Sequence, residues 1–509
     1  MNTWADKVTD DINKAFRVLL VYANSPMDNL MPVSISSISG ALRRRGFDIK
    51  LFDTTFYPGI TTGGGERSGS LQVAEFSYDE VGISFIETDV FDDFRRLALE
   101  YQPNIIGLSV VEPTYELGIN LLRSVRDLSI PTVVGGVFAI FSPEYVIAND
   151  AVDMVCIGEG ERAIVELCEK MARGEDSSAI DNLWVKQGGE VIRNKKAVMK
   201  LDELPKLDFS IYHPKRVYRP MSGRLYRMAP VEFSRGCVYE CTYCSAPAFA
   251  EKFKEEGRWL RHKPVSTIID EIKSYVDEYN IEYLYFVSET FLAMPEEKFR
   301  EFCLRYPKIG IPFWFNTRPE TITAEKIRML EDINCHRMSI GVECGNEEYR
   351  RTMLRRRTSN IQIAEKCAIV SKSSIQLSVN NIIGFPDETR EMIFDTMRLN
   401  REIDADSYTC SIFQPYRGTW LHSYCVEKGY YDPDALAIDL TVSSVLKQPH
   451  ITDNEIRGLA RVFPLYVKFP ETDFHLIRKA EKFDAEGEEA FQLLSARYRN
   501  TYEKRGKVF

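Results

Sequence analysis

Histidine is scarce in this 509-residue sequence: there are 6, and none precedes His213. A basic surplus is missing as well. Lys and Arg number 65 against 75 Asp and Glu, a net charge of -10, which argues against a nucleic-acid backbone as the main partner because phosphate binding needs a positive surface. The basic run Leu354-Arg355-Arg356-Arg357 is too short to reverse that and reads as a solvated helix end. No apolar run approaches bilayer-spanning length; the longest, Ile130 to Phe141, is broken by Pro131 and the Gly135-Gly136 pair. A transmembrane segment is not expected, while contact with a membrane surface stays open, since a lipid substrate needs no spanning helix. A disulfide framework is missing too: the 11 cysteines are an odd number scattered along the chain, and the start from Met1 to Lys14 is polar, without the apolar core of a secretory signal. Reduced thiols and a cytoplasmic location are the expectation.

What is present is a long chain with material for more than one core. Its length implies two or three domains, and hydrophobic residues at 44% with aromatics at 12% can fill them. The first stretch alternates strand and helix. Arg17 to Ala23 (RVLLVYA) predicts a strand buried on both faces, ending at the turn signal Asn24-Ser25-Pro26. Ser34 to Arg45 has helical period and stops at Gly46, and Phe47 to Asp53 is the next strand. Ile105 to Val111, Pro131 to Val134 and Asp153 to Ile157 follow as strands, with helices from Tyr115 to Leu128 and from the Gly158-Glu159-Gly160-Glu161 turn to Met171. This alternation predicts an α/β fold with an N-terminal doubly wound, Rossmann-like parallel sheet. A ligand would sit beyond the carboxyl ends of its strands, where the loops Asn24 to Pro32, Glu112 to Thr114, Gly135 to Ala139 and Gly158 to Glu161 converge and glycines let backbone approach a flat molecule. A sheet that merely packs is the equal alternative. Thr62 to Ser70 (TGGGERSGS) reads as a cap or a flexible excursion.

The chemistry concentrates in Ser234 to Pro247 (SRGCVYECTYCSAP), where Cys237, Cys241 and Cys244 are spaced CxxxCxxC. Three thiolates from one loop can hold three irons of a 4Fe-4S cubane and leave the fourth iron open to a small molecule. The zinc alternative needs four protein ligands, and no second CxxC or HxxxH pair stands nearby. Val231 to Phe233 is a strand that delivers this loop. Beyond it come helices at Pro264 to Tyr279 and Glu296 to Tyr306, and strands at Tyr283 to Val287, Phe313 to Asn316, Arg337 to Val342, Leu377 to Gly384 and Tyr408 to Gln414. That count predicts a partial (β/α)6, TIM-like barrel with its reacting groups at the strand carboxyl ends. Ser288 and Glu289, Asn316 and Arg318 stand at two such ends. Glu289 suits an ammonium donor or, alternatively, the start of the following helix; Arg318 suits a carboxylate ligand or a surface pair with Glu320. Cys156, Cys168, Cys303, Cys335, Cys367, Cys410 and Cys425 have no ligand spacing and read as buried structural thiols. Ile451 to Phe509 is a charged, helix-rich tail, capped at Thr452 or Asp453.

The cysteine spacing and the motifs that follow it resemble the radical S-adenosylmethionine (radical SAM) enzymes. The ordered series before it, with Pro32 ahead of a helix, GLSVVEPTYE, TVVGGVFA and DMVCIGEGE, resembles the cobalamin-binding domain of the cobalamin-dependent members; the likeness covers about residues 15 to 450. It implies a 4Fe-4S cluster on Cys237, Cys241 and Cys244. SAM would bind near Tyr243, Ser288, Glu289, Asn316, Arg318, Glu343 of GVECG and Gly384 of GFPDE. It implies cobalamin over Asn24, Pro26, Pro32, Val111, Glu112, Pro113, Thr114, Gly135, Gly136, Val137, Gly158, Glu159 and Gly160, facing the barrel mouth. Tyr243 would pack by adenine, although core packing explains it as well. Cys344 replaces the usual serine of GVESG, and Arg417 replaces a proline in QPYRGT, where it faces substrate or solvent. Cobalt would have no lower histidine ligand from residues before His213.

The domains implied are 1–195 for cobalamin, 196–225 as linker, 226–440 for the radical SAM barrel and 441–509 as a C-terminal helical region. The reaction implied is cleavage of SAM to a 5'-deoxyadenosyl radical, hydrogen abstraction, and methyl transfer from methylcobalamin to an unactivated carbon of a small-molecule or peptide substrate. A flavodoxin- or ferredoxin-type protein would supply electrons. A radical cyclase without net methyl transfer is the alternative within the class, and a non-catalytic iron-sulfur and cobalamin carrier or sensor is the alternative outside it.

Overall fold

The computed structural model describes residues 11–25, 30–58 and 66–502. It divides into two compact units, the first comprising Met1–Thr62, Gly82–Val217 and Phe249–Thr267 and the second Gly63–Val81, Tyr218–Ala248 and Ile268–Phe509.

The first unit is built on a seven-stranded sheet in the order β2-β1-β3-β4-β5-β6-β7. Here β1 is Arg17–Tyr22, β2 Asp48–Asp53, β3 Ile105–Ser109, β4 Thr132–Gly135, β5 Met154–Cys156, β6 Leu183–Gln187 and β7 Glu190–Arg193. Strands β1 to β5 are parallel, as the alternating pattern predicts. Val18, Leu19, Leu20 and Val21 of β1 are all buried, as a central strand covered on both faces requires. The last two strands correct the all-parallel expectation: β6 and β7 form a hairpin that adds antiparallel to β5, turned by Gly188 and Gly189 at positive φ.

Residues 196–217 hold to this unit through buried polar bonds. Ser39 Oγ donates to Asp208 Oδ2 at 2.6 Å, Ser36 Oγ and Tyr212 Oη are 3.0 Å apart, and Arg216 Nε donates to Asp53 Oδ2 at 2.7 Å. Gly40, on the helix Val33–Arg44, leaves room for them, since a Cβ there would lie 2.5 Å from the Lys206 carbonyl oxygen.

The second unit carries another seven-stranded sheet, in chain order from β8 to β14. These are β8 Tyr218–Met221, β9 Arg224–Glu232, β10 Tyr283–Val287, β11 Phe313–Thr317, β12 Cys335–Glu343, β13 Gln376–Ile383 and β14 Ser407–Ile412. Strands β9 to β14 run parallel, and β8 pairs antiparallel with β9 at the edge. Curling makes this sheet a half barrel. Outside it Phe233, Phe286, Phe291, Phe302, Phe313 and Phe315 pack ring on ring, all at most 1% exposed.

Of the glycine-rich stretch Thr62 to Ser70, positions 62–65 lie outside the described residues, while Glu66–Gly69 is a helical turn of the second unit. The tail forms helices Asp453–Lys468, Phe474–Ala480 and Ala485–Tyr502, the first closed by a capping box between Thr452 and Glu455. Among the described residues no helix is long and apolar enough to cross a membrane.

Gly136, after β4, has φ +100°, and a Cβ there would meet the Val110 carbonyl oxygen at 2.3 Å. Gly136→Ala is expected to destabilise the protein by about 1–3 kcal/mol, read as a lowered denaturation midpoint.

Candidate active site

Strand β9 ends at Glu232, and Phe233 stays in register by donating its N–H to the Val287 carbonyl of β10 at 3.1 Å. The chain then turns through Gly236, at φ +98°, into the segment that carries three free cysteines. Cys241 is buried, while Cys237 and Cys244 are partly exposed. Thr242 pins the loop: its N–H and Oγ1 donate to the Leu354 and Met353 carbonyls at 3.4 and 2.7 Å, and its own carbonyl accepts from Leu421 N at 3.1 Å. Burial pushes the Cys244 thiol up to about 12, so a thiolate forms there only with a cation bound. Among the described residues no three His, Cys, Asp or Glu side chains converge on the point a single ion would occupy. A mononuclear site needs such convergence; a cubane, which takes each thiolate on a different iron, does not, and the donor set fits it.

Several residues expected from the sequence stand around this loop. Glu289 accepts the Gly236 N–H at 3.0 Å; the side chain reaches solvent but has protein around it, and desolvation raises its carboxyl above the usual range. Ser288 Oγ lies 2.7 Å from Ser234 Oγ. Tyr243 packs edge-on to Phe385 with ring centroids 5.7 Å apart and takes a hydrogen bond from Arg356 at 3.2 Å. Glu343 ends β12 at φ +70°, 3.9 Å from Arg356, its carboxyl also raised by desolvation. Asn316 donates to the Tyr285 hydroxyl at 2.8 Å.

Arg318 pairs with Glu320 at 2.6 Å, as a buried residue rather than on the surface, and its Nη1 donates to Cys241 Sγ at 3.1 Å. Gly384 has φ +78°, and the space a side chain would take is filled by Ile456 of the tail at 3.0 Å. Cys344 is fully buried among Tyr349, Leu354 and Phe385, and Arg417 donates to the Ala435 carbonyl at 3.0 Å. Cys156, Cys168, Cys303, Cys335, Cys367, Cys410 and Cys425 are buried and free.

The first unit's strand-end loops divide. Val111 and Val137, on adjacent loops, are 47% and 40% exposed, an apolar pair that fits a flat ligand. Most of the others make contacts within the fold. Asn24 is buried on Thr54 and Thr55, Thr114 Oγ1 closes the turn of Val111 around Glu112 and Pro113, and Pro32 starts the helix at Val33. Glu159 accepts both terminal nitrogens of Arg261, at 2.8 and 3.0 Å. Among the glycines, a Cβ on Gly158 would meet Asn182 at 2.6 Å and on Gly160 Ile38 at 3.2 Å, whereas on Gly135 it would make only ordinary contact with Cys156 at 3.5 Å. Pro26 lies outside the described residues.

The residue the sequence reading missed is Arg356. In the run Leu354 to Arg357 burial alternates: Leu354 and Arg356 are 0% and 5% exposed, Arg355 and Arg357 are exposed. The solvated-helix-end reading fails because the segment is irregular and Arg356 points inward to Gly341, Tyr243, Glu343 and Cys241. Three consecutive arginines give no periodicity from which this could be read. Also unforeseen is the half-barrel lumen, a cavity of about 1570 Å³ lined by polar side chains at every second strand position, among them Asn316, Ser339, Ser378, Asn380, Thr409 and Ser411.

Glu388 is fully buried, accepts N–H bonds from Gly384 and Phe385 at 2.6 and 3.2 Å, and is raised by desolvation to about 8. Its folded value exceeds its unfolded value, so its contribution to stability is fully present in acid and is lost as pH rises through about 8. Glu388→Gln, which keeps the acceptor, is expected to flatten this loss in denaturation curves taken from acid to mildly alkaline pH.

Two families match the chain: the radical SAM superfamily over residues 231–399 and the B12 binding domain over 20–168. An uncharacterized methyltransferase of Pyrococcus horikoshii is 25% identical over 74% of this chain and 81% of its own length. The anaerobic magnesium-protoporphyrin IX monomethyl ester cyclase of Rubrivivax gelatinosus is 22% identical over 71% of this chain and 67% of its own. Among solved structures, the radical S-adenosylmethionine methyltransferase TsrM of Kitasatospora setae, with cobalamin and a [4Fe-4S] cluster bound, superposes with a TM-score of 0.64 at 15% identity, covering 94% of this chain and 99% of that one; it shares the fold.

Proposed function

Because this chain belongs to the radical SAM superfamily and carries a B12 binding domain ahead of the radical SAM domain, we propose that it is a cobalamin-dependent radical SAM methyltransferase acting on an unactivated carbon. The observation that carries the reading is the set of three free cysteines on one loop at the carboxyl end of a parallel half barrel, beside an accessible carboxylate. Methyltransferases among the similar proteins support it. When bound, the 4Fe-4S cluster, SAM and methylcobalamin supply the electron, the 5'-deoxyadenosyl radical that abstracts hydrogen, and the methyl group.

The protein's own residues bind and orient. Cys237, Cys241 and Cys244 hold the cluster. Glu289, with its carboxylate facing solvent, accepts the ammonium of SAM, and Glu343, from the end of β12, accepts its ribose hydroxyls. Tyr243 forms the wall against adenine. Val111 and Val137 give the corrin an apolar rest. The polar lumen takes the substrate, a small molecule or peptide with many hydrogen-bonding groups, and shields its reacting carbon from bulk water. Electrons come from a flavodoxin- or ferredoxin-type donor in the cytoplasm.

The cyclase relative marks the second chemistry such a site supports, and products separate the two. The protein is reconstituted anaerobically and given SAM, dithionite and methylcobalamin. Formation of both 5'-deoxyadenosine and S-adenosylhomocysteine, with corrinoid retained, is the expected result. Deoxyadenosine without S-adenosylhomocysteine would turn the reading to the cyclase class, and neither product would leave a carrier. Replacing Cys237, Cys241 or Cys244 by Ala is expected to abolish the cluster absorbance and deoxyadenosine formation while leaving corrinoid binding by the first unit intact.

A further inference from the structure

Cys241 is not equivalent to the other two cysteines. Arg318 Nη1 donates to its sulfur at 3.1 Å, and Arg356 Nη1 lies 3.8 Å from the same atom. Both arginines are buried, at 6% and 5% exposure. Cys237 Sγ meets only a neutral hydroxyl, that of Thr290, at 3.5 Å, and Cys244 Sγ a backbone N–H, that of Ala246, also at 3.5 Å.

Each guanidinium is locked in place. Arg318 lies over the Tyr239 ring at 3.7 Å and pairs with Glu320 at 2.6 Å. Arg356 is held by the Gly341 carbonyl, the Tyr243 hydroxyl and Glu343. The backbone turns left-handed at Arg355, φ +53°, immediately before it, and at Glu343, φ +70°, its carboxylate partner. Such conformations are costly for non-glycine residues and persist only where the surroundings enforce them.

Two buried cations beside one sulfur need negative charge around them, which Glu320 and Glu343 supply in part and which a thiolate at that sulfur adds to. As a thiolate bound to iron it does, and hydrogen bonds to cluster sulfurs and exclusion of solvent are what set the potential of such clusters. We infer that Arg318 and Arg356 are positioning residues that act through Cys241 to raise the reduction potential of the cluster, stabilising the form that has taken one electron. The inference rests on the assignment of the cluster to Cys237, Cys241 and Cys244. Reduction adds one electron from an external donor, with no bond made or broken in the protein; the two guanidiniums favour the added charge. Arg356 also touches Glu343, so a molecule drawn to Glu343 competes for the same guanidinium, and occupancy at that carboxylate shifts the potential.

The test is an EPR-monitored redox titration of the reconstituted full chain, without SAM or corrinoid, using dithionite. Arg318→Gln and Arg356→Gln are each expected to lower the midpoint, by about tenfold in the reduction equilibrium or ~59 mV for one electron. Glu320→Gln, which relieves Arg318 of its counter-charge, is expected to raise it. A purely structural role for the arginines would change cluster content but leave the midpoint of the clusters that remain unchanged, and that result overturns the inference. If the arginine variants hold no cluster, Glu320→Gln decides: an upward shift supports it and an unchanged midpoint overturns it. Failure of the methyltransferase reading shows elsewhere, in the products formed with SAM and methylcobalamin, and leaves these midpoints untouched.

Discussion

Six strands paired in parallel and in chain order, from Arg224–Glu232 to Ser407–Ile412, bring residues more than a hundred positions apart to one edge of one sheet. Parallel pairing sends every connecting loop at that edge to the same side, so Glu232, Val287, Thr317, Glu343 and Ile383 end their strands together. The cysteine loop hangs from the first of these ends. Its geometry comes less from its own sequence than from what it is tied to: Thr242 on the Met353 and Leu354 carbonyls, Gly236 on Glu289, and Cys241 under Arg318.

Electrostatics in this region is arranged by burial. Desolvation raises Glu289, Glu343 and Glu388 and the Cys244 thiol, which keeps negative charge from forming without a partner. The fixed countercharges are Arg318 and Arg356. Removing one partner of a buried ion pair typically costs about 3–5 kcal/mol, so Glu320 and Glu343 hold the arginines as firmly as the arginines hold the loop. The lumen below is mixed: serine, threonine and asparagine take many of its inward positions and bond to several partners, and Arg219 and Arg337 line it beside them.

Much of this was legible in the sequence. Branched runs such as RVLLVY and YLYFV read directly as buried strands, and the cysteine spacing marked the loop. What was hidden depended on tertiary partners. The hairpin Leu183–Gln187 and Glu190–Arg193 is short and only half buried, so no clear alternation announces it. At the glycines 158, 160 and 384 the neighbours that crowd the missing side chain, Asn182, Ile38 and Ile456, are distant in sequence. Arg356 was hidden by its own kind, one inward arginine between two outward ones.

The central claim is that three thiolates hold a four-iron cluster with one iron left for SAM. Mössbauer spectroscopy of protein reconstituted with ⁵⁷Fe, recorded before and after SAM is added, tests it most directly. The account predicts a cubane in which one iron alone changes its signal when SAM binds. Four irons that respond alike or not at all, or a site that takes up zinc in place of iron, would contradict it.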